Sequence, residues 1–476
     1  MRNTMLMLGA AALLAACAGS SKYQAPSVAI APSYPAVQSA QSAQFRVEAA
    51  GAPSVASAPF WREIGDSTLS QLVEDALRGS TNIRVAESRL DATRATRRLA
   101  AFDLVPSITG TGSALRSRQS MAQVPGLTSP LPQADLYDVG FDATWELDLF
   151  GRVHRNVNAQ NALVSSAEHS LDDVRVSLAA EVARTYFELR GAQQQLDVAE
   201  RNATVQRKTV ALTEDRLAAG RGTAFDVERA RSALQLTLAA VPTLQGQITS
   251  DRYRVAVLLG RSPDAPLPGL AERGPAPRLP DSVTIGSPSQ LVRRRPDVLA
   301  AERQLAAQSL SVGAAQAEYM PHFSLGASLG YTANRIESLT NTGFSRVLFG
   351  PVVSFPLLDI GRVRQRVSVA AARQDEAQAQ YTATVLHAVE ETESAIVSYD
   401  RAHERLAILT EAVKSSTRAA GLAQQRFEAG LTDFLQVLDA QRTLLDAENQ
   451  LANANTAAAT ALVSLYKAVG GTWKGW

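Results

Sequence analysis

Tyr137-Asp138-Val139-Gly140-Phe141-Asp142-Ala143-Thr144-Trp145-Glu146-Leu147-Asp148 is the stretch that decides the fold. Taken two residues at a time it separates into an apolar set, Tyr, Val, Phe, Ala, Trp and Leu, and a polar set, Asp, Gly, Asp, Thr, Glu and Asp. That period belongs to a strand with an apolar medium on one side and water on the other. Its partner is expected over about 107–115, across a polar, proline-containing loop from Arg116 to Asp135, which makes a hairpin over 107–148. The alternation returns later, where Phe323, Leu325, Ala327, Leu329 and Tyr331 interleave with His322, Ser324, Gly326, Ser328, Gly330 and Thr332. A return strand at Val347 to Leu357 completes a second hairpin over 322–357. The strands have the length, roughly 9 to 11 residues, that crosses a bilayer at a tilt.

Working outward, the hairpins belong to two copies of one longer pattern. Ala86-Glu87, Leu90 and Pro106 recur 215 residues on as Ala301-Glu302, Leu305 and Pro321; Gly151-Arg152-Val153 recurs 210 residues on as Gly361-Arg362-Val363. The register slips only between Pro321 and Gly361, as an insertion in a loop would cause. Two related units are therefore expected, with equivalent faces that meet each other or further copies.

Each hairpin is followed by an unusually long proline-free helix, predicted over 152–219 and 362–429, or about 102 Å each at 1.5 Å per residue. Val182, Leu189, Leu196, Ala203, Val210 and Leu217 fall seven apart, and Thr392, Tyr399, Leu406, Val413, Ala420 and Phe427 carry the same phase in the second copy. Sustained sevens imply coiled-coil packing. Shorter helices return over 223–259 and 432–469, and helices at 82–101 and 296–319 precede the hairpins. The chain thus divides into repeat 1 at 60–262, a proline-rich strap at 263–288 expected to be irregular, repeat 2 at 289–470, and a tail at 471–476.

The N-terminus has a charged Arg2, an apolar run from Met5 to Leu14, and Leu14-Ala15-Ala16-Cys17 at its end. These are the parts of a secretory signal over 1–16. The cut site resembles a bacterial lipobox, which implies cleavage before Cys17 and lipid on its thiol. Cys17 is the only cysteine, so no disulfide forms within the chain. Ala18 stands where Asp would retain such a protein at the inner membrane, so the outer membrane is the expected destination. Residues 17–59, rich in Ala, Ser, Pro and Gln, read as an extended tether.

Several classes are excluded. The formal net charge of +1 gives no basic field for nucleic acid. His154, His169, His322, His387 and His403 have no metal-ligand spacing, no nucleotide fingerprint occurs, and no cofactor is expected. Asp138, Asp142, Glu146 and Asp148 could suggest catalytic carboxylates, but no aromatic substrate-binding pattern surrounds them. The chain is not expected to be an enzyme.

Four amphipathic strands cannot close a barrel, since the smallest bacterial ones have about eight. Open edges in lipid leave backbone groups unsatisfied at several kcal/mol each, so association is obligatory. Two copies would give a bore filled by side chains; three would leave a lumen. The acids Asp138, Asp142 and Glu146 suit a wet lumen, and a homotrimer is expected.

Arg294-Arg295-Pro296-Asp297-Val298 with Ala301-Glu302 and Leu305 resembles the signature of the TolC/OprM outer-membrane efflux factors, particularly the NodT-like lipoproteins. The series Phe60-Trp61, Asp66, Leu69, Leu72, Ala76-Leu77 and Asn82 is similar too, as is Leu438-Asp439-Ala440-Gln441-Arg442; Ile83 departs where many relatives have Pro. The resemblance implies an α+β membrane protein, a homotrimeric 12-strand β-barrel with four strands per chain. Long α-helical coiled coils continue that barrel and are belted by an equatorial region to which 263–288 contributes. It also implies a passive exit duct for drugs or other small molecules in a tripartite efflux system. Its partners would be a periplasmic adaptor, an inner-membrane pump of the proton-driven RND type, and outer-membrane lipid. The helix reversals, marked by Arg216 with Gly220 and Arg426 with Gly430, would dock the adaptor, although C-capping alone accounts for the glycines. Leu435 and Asp439, spaced to share a helix face, would form the periplasmic gate.

Overall fold

The computed structural model describes residues 23–40, 45–47, 59–118, 120, 129, 132–274, 279–280 and 282–471. The expected signal segment, Cys17 and all but the first residue of the 471–476 tail lie outside the described residues. In chain order the elements are α1 (Pro35–Ser39), β1 (Phe45–Val47), α2 (Phe60–Glu63), α3 (Ser67–Gly79), α4 (Thr81–Phe102), β2 (Ser107–Ser117) and β3 (Ala134–Leu147). Then follow α5 (Arg152–Ala218), α6 (Ala224–Leu258), β4 (Val283–Ile285), α7 (Pro288–Arg294), α8 (Pro296–Ala317), β5 (His322–Ala333), β6 (Ser345–Ser354), α9 (Ile360–Glu428) and α10 (Phe434–Ala468). They fall into two compact units, the first made of 23–27, Arg89–Glu168 and Ala300–Thr382, the second of the remaining described residues.

The first unit carries one antiparallel sheet in the order β2-β3-β5-β6. Cross-strand partners share a face, so Val139 and Phe141 of β3 lie with Tyr331 and Leu329 of β5, and Leu329 with Val347 of β6. These side chains are exposed, Val347 by 73%. The opposite face carries Asp138 and Asp142 beside Thr332 and Ser328. The two hairpins have one register between them: Ser107 opposite Thr144 in the first becomes His322 opposite Ser354 in the second, under the 215 and 210 offsets of the sequence repeat. Among the described residues β2 and β6 have no further partner, so both edges of the sheet are open.

The return strand ends at Ser354 where the alternation suggested Leu357. Pro356 has no N–H to give to a ladder, and the Leu357 N–H donates to the Phe355 carbonyl at 2.9 Å, which turns the chain toward α9. The long helices hold 67 and 69 residues.

In the second unit the sevenfold seam is buried at Val182, Leu189, Leu196 and Ala203 and at Thr392 and Tyr399, whereas Leu217, at the helix end, is exposed. Asp66 caps α3 by accepting from the Thr68 and Leu69 N–H groups at 2.9 and 3.0 Å. Its other oxygen accepts from the Tyr186 hydroxyl at 2.6 Å. Burial, with that hydrogen bond, pushes the Tyr186 phenol up to about 12. Beside this cap Phe60 stacks on Tyr466 with ring centroids 5.1 Å apart.

Arg295, immediately before α8, donates to both carboxylate oxygens of Asp297 at 3.0 and 2.8 Å. It also reaches Glu391 at 2.6 Å and the Ala468 carbonyl at 2.8 Å. Its fork thereby ties α8, α9 and α10 together within this unit.

Two segments are more ordered than their composition suggests. Within the 17–59 tether, Phe45–Val47 forms β1 and pairs in parallel with β4 from the 263–288 strap, Phe45 opposite Val283 and Val47 opposite Ile285. Val283 and Ile285 are buried and Thr284 between them is exposed, the alternation of a half-buried strand too short to read alone. The strap also ends in order: Pro288 opens α7, with Ser287 and Gln290 as a reciprocal capping box.

Candidate functional site

The two long helices end alike. Gly220 and Gly430 take φ of +69° and +71°, a conformation that a side chain disfavours. This lets the Gly220 N–H reach the Leu217 carbonyl and the Arg221 N–H the Arg216 carbonyl, at 3.0 and 2.8 Å. The Gly430 and Leu431 N–H groups bond the Phe427 and Arg426 carbonyls at the same two distances. Both ends are Schellman caps. The next helices start at once, α6 on a Thr223–Asp226 capping box and α10 on Asp433, whose carboxylate accepts from the Gln436 N–H at 3.2 Å.

The two arginines of these reversals differ in setting. Arg216 lies over the Phe427 ring, 4.1 Å from guanidinium carbon to ring centroid, and Phe427 packs against Phe434 at 5.5 Å. Ala230 and Val437 complete that small core. Arg426 is exposed. Sequence reasoning had not singled out Phe434; an aromatic pair seven residues apart around Gly430 was the available signal.

Leu435 and Asp439 share the exposed side of α10, Leu435 at 49% exposure, while Phe434 and Val437 turn inward. With Arg442 and Asp446 from α10 and Arg229 and Leu236 from α6 they line an open groove of about 920 Å³. A leucine and a carboxylate one turn apart on a free face can present an apolar level and an anionic level to whatever passes.

On the sheet, Asp138, Asp142 and Glu146 occupy one face. Asp138 accepts from the Thr332 hydroxyl at 2.6 Å and faces an Arg346 nitrogen at 3.4 Å; Asp142 accepts from the Thr111 hydroxyl at 3.3 Å. Glu146 is held by both sides of the Arg152 fork at 3.0 and 2.6 Å, with a His322 ring nitrogen 3.4 Å away. Asp148 departs from this group, since it receives the His154 N–H at 2.8 Å and so finishes the start of α5. Hydrogen bonds to arginine and hydroxyl groups hold these carboxylates in place on the polar face. Among the described residues no cluster of three or more His, Cys, Asp or Glu could hold a metal ion, and no helix is long and apolar enough to cross a membrane.

Comparison with known proteins agrees with this architecture. The family model described as outer membrane efflux protein matches residues 72–261 and 287–471, one match to each repeat. Outer membrane protein OprJ of Pseudomonas aeruginosa is 32% identical over 415 residues, covering 87% of this chain and 86% of its own. The solvent efflux pump outer membrane protein SrpC of Pseudomonas putida is 30% identical over 411 residues, covering 86% of each. Among solved structures the outer-membrane channel OprN superposes with a TM-score of 0.87 at 37% identity, over 96% of this chain and 99% of that one. The expected α+β membrane fold with four strands per chain is the fold of that channel, and efflux and an outer-membrane location, both expected from the sequence, are those of the relatives. A doubled strand–helix pattern, a sheet greasy on one face and wet on the other, and a family match over both halves lead to one statement: the chain belongs to the outer membrane efflux protein family.

Proposed function

We propose that three copies of this chain assemble into a passive, gated exit duct that carries small molecules from the periplasm across the outer membrane without changing them. One observation carries the reading. Four strands form a sheet with both edges open, an exposed apolar face and a face of acids and hydroxyls. Such a sheet in lipid needs further strands, and three copies supply twelve around a lumen lined by Asp138, Asp142 and Glu146. Lipid on Cys17 anchors the N-terminus beside the barrel, in outer-membrane lipid. Small organic cargo is supported by the solvent efflux named for SrpC.

The far ends of the long helices, at Arg216 with Gly220 and Arg426 with Gly430, form the periplasmic mouth and dock a periplasmic adaptor. Energy comes from an inner-membrane pump of the RND type acting through it. At that mouth the three copies of Leu435 form an apolar ring that excludes water, and the three of Asp439 an anionic ring that favours cations.

Planar-bilayer recording tests both parts. The purified trimer should conduct weakly, and Leu435→Ala with Asp439→Ala should raise single-channel conductance several-fold. Unchanged conductance would remove the gate; no conductance from an intact trimer, gated or not, would remove the duct.

A further inference from the structure

The groove that Leu435 and Asp439 share with α6 is larger than a gate requires. Its volume of about 920 Å³ is that of a site for a drug-sized molecule. Along α10 it runs from Leu435 to Asn453, roughly 27 Å at 1.5 Å per residue. Beneath it α5 supplies Ala199 and Gln206, both buried, and apolar walls come from Leu236 and Leu244 of α6 and from Leu438 and Leu445 of α10. All of these residues belong to the second unit.

The polar groups of the groove carry an excess of acceptors. Gln206 is 7% exposed, and its side-chain carbonyl oxygen is buried without a hydrogen-bond partner among the described residues. The carbonyl oxygen of Gln441 is in the same state, although its Nε2 donates to the Thr209 hydroxyl at 3.2 Å. A buried acceptor with no donor costs about 1–3 kcal/mol, and folded chains leave few of them. Two in one groove mark where donors from outside the chain would be held. On the α10 side Asp439 and Asp446 flank Arg442, two acids to one base, and all three are exposed. The other arginine, Arg229 of α6, has its guanidinium over the ring of Phe225, 5.4 Å from the centroid, a residue outside the groove.

We propose that this groove is a binding site for drug-sized amphiphilic amines. The N–H groups of such a molecule meet the Gln206 and Gln441 carbonyls, its positive charge lies beside Asp439 and Asp446, and its apolar body lies along the leucines of α6 and α10. A molecule of the same shape without N–H groups leaves both carbonyls unpaired under an apolar cover, and so binds less well. That the groove opens onto the path of the cargo rests on the reading that Leu435 and Asp439 face the lumen. Binding itself needs only α5, α6 and α10 of one chain. On this account the wall of the duct holds some of what passes along it, and holds amines in preference to other molecules of the same size.

Equilibrium dialysis of the full-length protein, purified from outer membranes in mild detergent, tests the site with 9-aminoacridine as the probe. Two molecules with the same rings are the comparison ligands in mildly alkaline buffer: acridine, which has neither N–H nor charge there, and acridine-9-carboxylate, which has the opposite charge. The probe should bind saturably and about tenfold more tightly than either. Gln206→Leu keeps the bulk of the side chain and removes the buried acceptor, so it should weaken the probe about tenfold without lowering the melting temperature. Asp446→Asn should weaken it by a smaller factor that vanishes in high salt. Binding that does not saturate, that is equal for the three acridines, or that Gln206→Leu leaves unchanged would overturn the site. Probe binding that responds to Gln206→Leu, in a channel whose conductance ignores the Leu435 and Asp439 substitutions, would support the site and remove the gate. A channel that opens on those substitutions but binds no amine would remove the site and leave the gate.

Discussion

Gly191→Ala should destabilise the protein although alanine is the better helix former. Gly191 is the one glycine of α5, and a Cβ built on it would lie 2.0 Å from the Thr456 hydroxyl oxygen of α10 and 3.0 Å from the Thr456 Cβ and Cγ2. Thr456 cannot easily turn aside, because a β-branched side chain is stiff in a helix and its hydroxyl donates to the Ala452 carbonyl at 3.1 Å. Gly421, interior to α9, meets nothing within 4 Å and serves as the control. At either site alanine brings about 1 kcal/mol of helix propensity; at Gly191 alone it adds overpacking of about 1–3 kcal/mol. The same substitution should therefore stabilise at Gly421 by about 1 kcal/mol and destabilise at Gly191 by up to about 2 kcal/mol. Thr456→Ala removes the hydroxyl oxygen and Cγ2 but leaves the Cβ, so the double variant should recover part of the loss, with a coupling of about 1–2 kcal/mol. Thermal loss of helical circular dichroism for the four proteins of the cycle, at one protein and detergent concentration, reads this directly. The packing argument fails if Gly191→Ala stabilises as Gly421→Ala does, or if the cycle is additive to within about 0.5 kcal/mol.

Two further outcomes follow from the second unit. Arg295→Ala leaves Asp297 and Glu391 without their shared cation; because both carboxylates are more than a quarter exposed and can rehydrate, the loss should be about 2–4 kcal/mol, below the full cost of breaking a buried pair. Thr392 still donates to the Ala468 carbonyl at 3.2 Å, so Arg295→Lys should recover part of the stability; a melting temperature unchanged in Arg295→Ala would refute the tie. Asp251 is buried with one carboxylate oxygen lacking a partner, and burial raises its pKa against the pull of the Gln247 amide, with Glu188 adding to the rise. A carboxyl raised in the folded state contributes its stability below its unfolded pKa of about 3.9 and loses it as pH climbs through the raised value. Asp251→Asn should match the parent near pH 4 and melt higher near pH 8; coincident melting curves at both would refute it.

What the sequence disclosed was whatever repeats. The period of two at 137–148, the sevens from Val182 to Leu217 and the 215 and 210 offsets each carry many residues, so the sheet, the long helices and the doubling were legible. The spacing of Leu435 and Asp439 was legible for the same reason, since i,i+4 fixes a shared face. The β1–β4 pair was not, because three residues on each side sit in Ala/Pro-rich stretches that resemble a tether. The partners of Arg295 escaped as well: Asp297 is adjacent, but Glu391 and the Ala468 carbonyl are 96 and 173 positions away and leave no local pattern. Arg216 on Phe427 is a contact of the same kind, made across 211 positions.

The small parallel pair β1–β4 bears on the order in which the chain can acquire its structure. Parallel strands cannot be joined by a tight turn, and here Phe45 must await Val283, while the Ala36 N–H, bonded at 3.0 Å to a carboxylate oxygen of Glu393, must await a residue 357 positions later. Loop closure over such separations is slow compared with helix growth. The N-terminal arm, made first by the ribosome, is thus among the last pieces seated, and a polypeptide cut short before Glu393 would leave that latch undone.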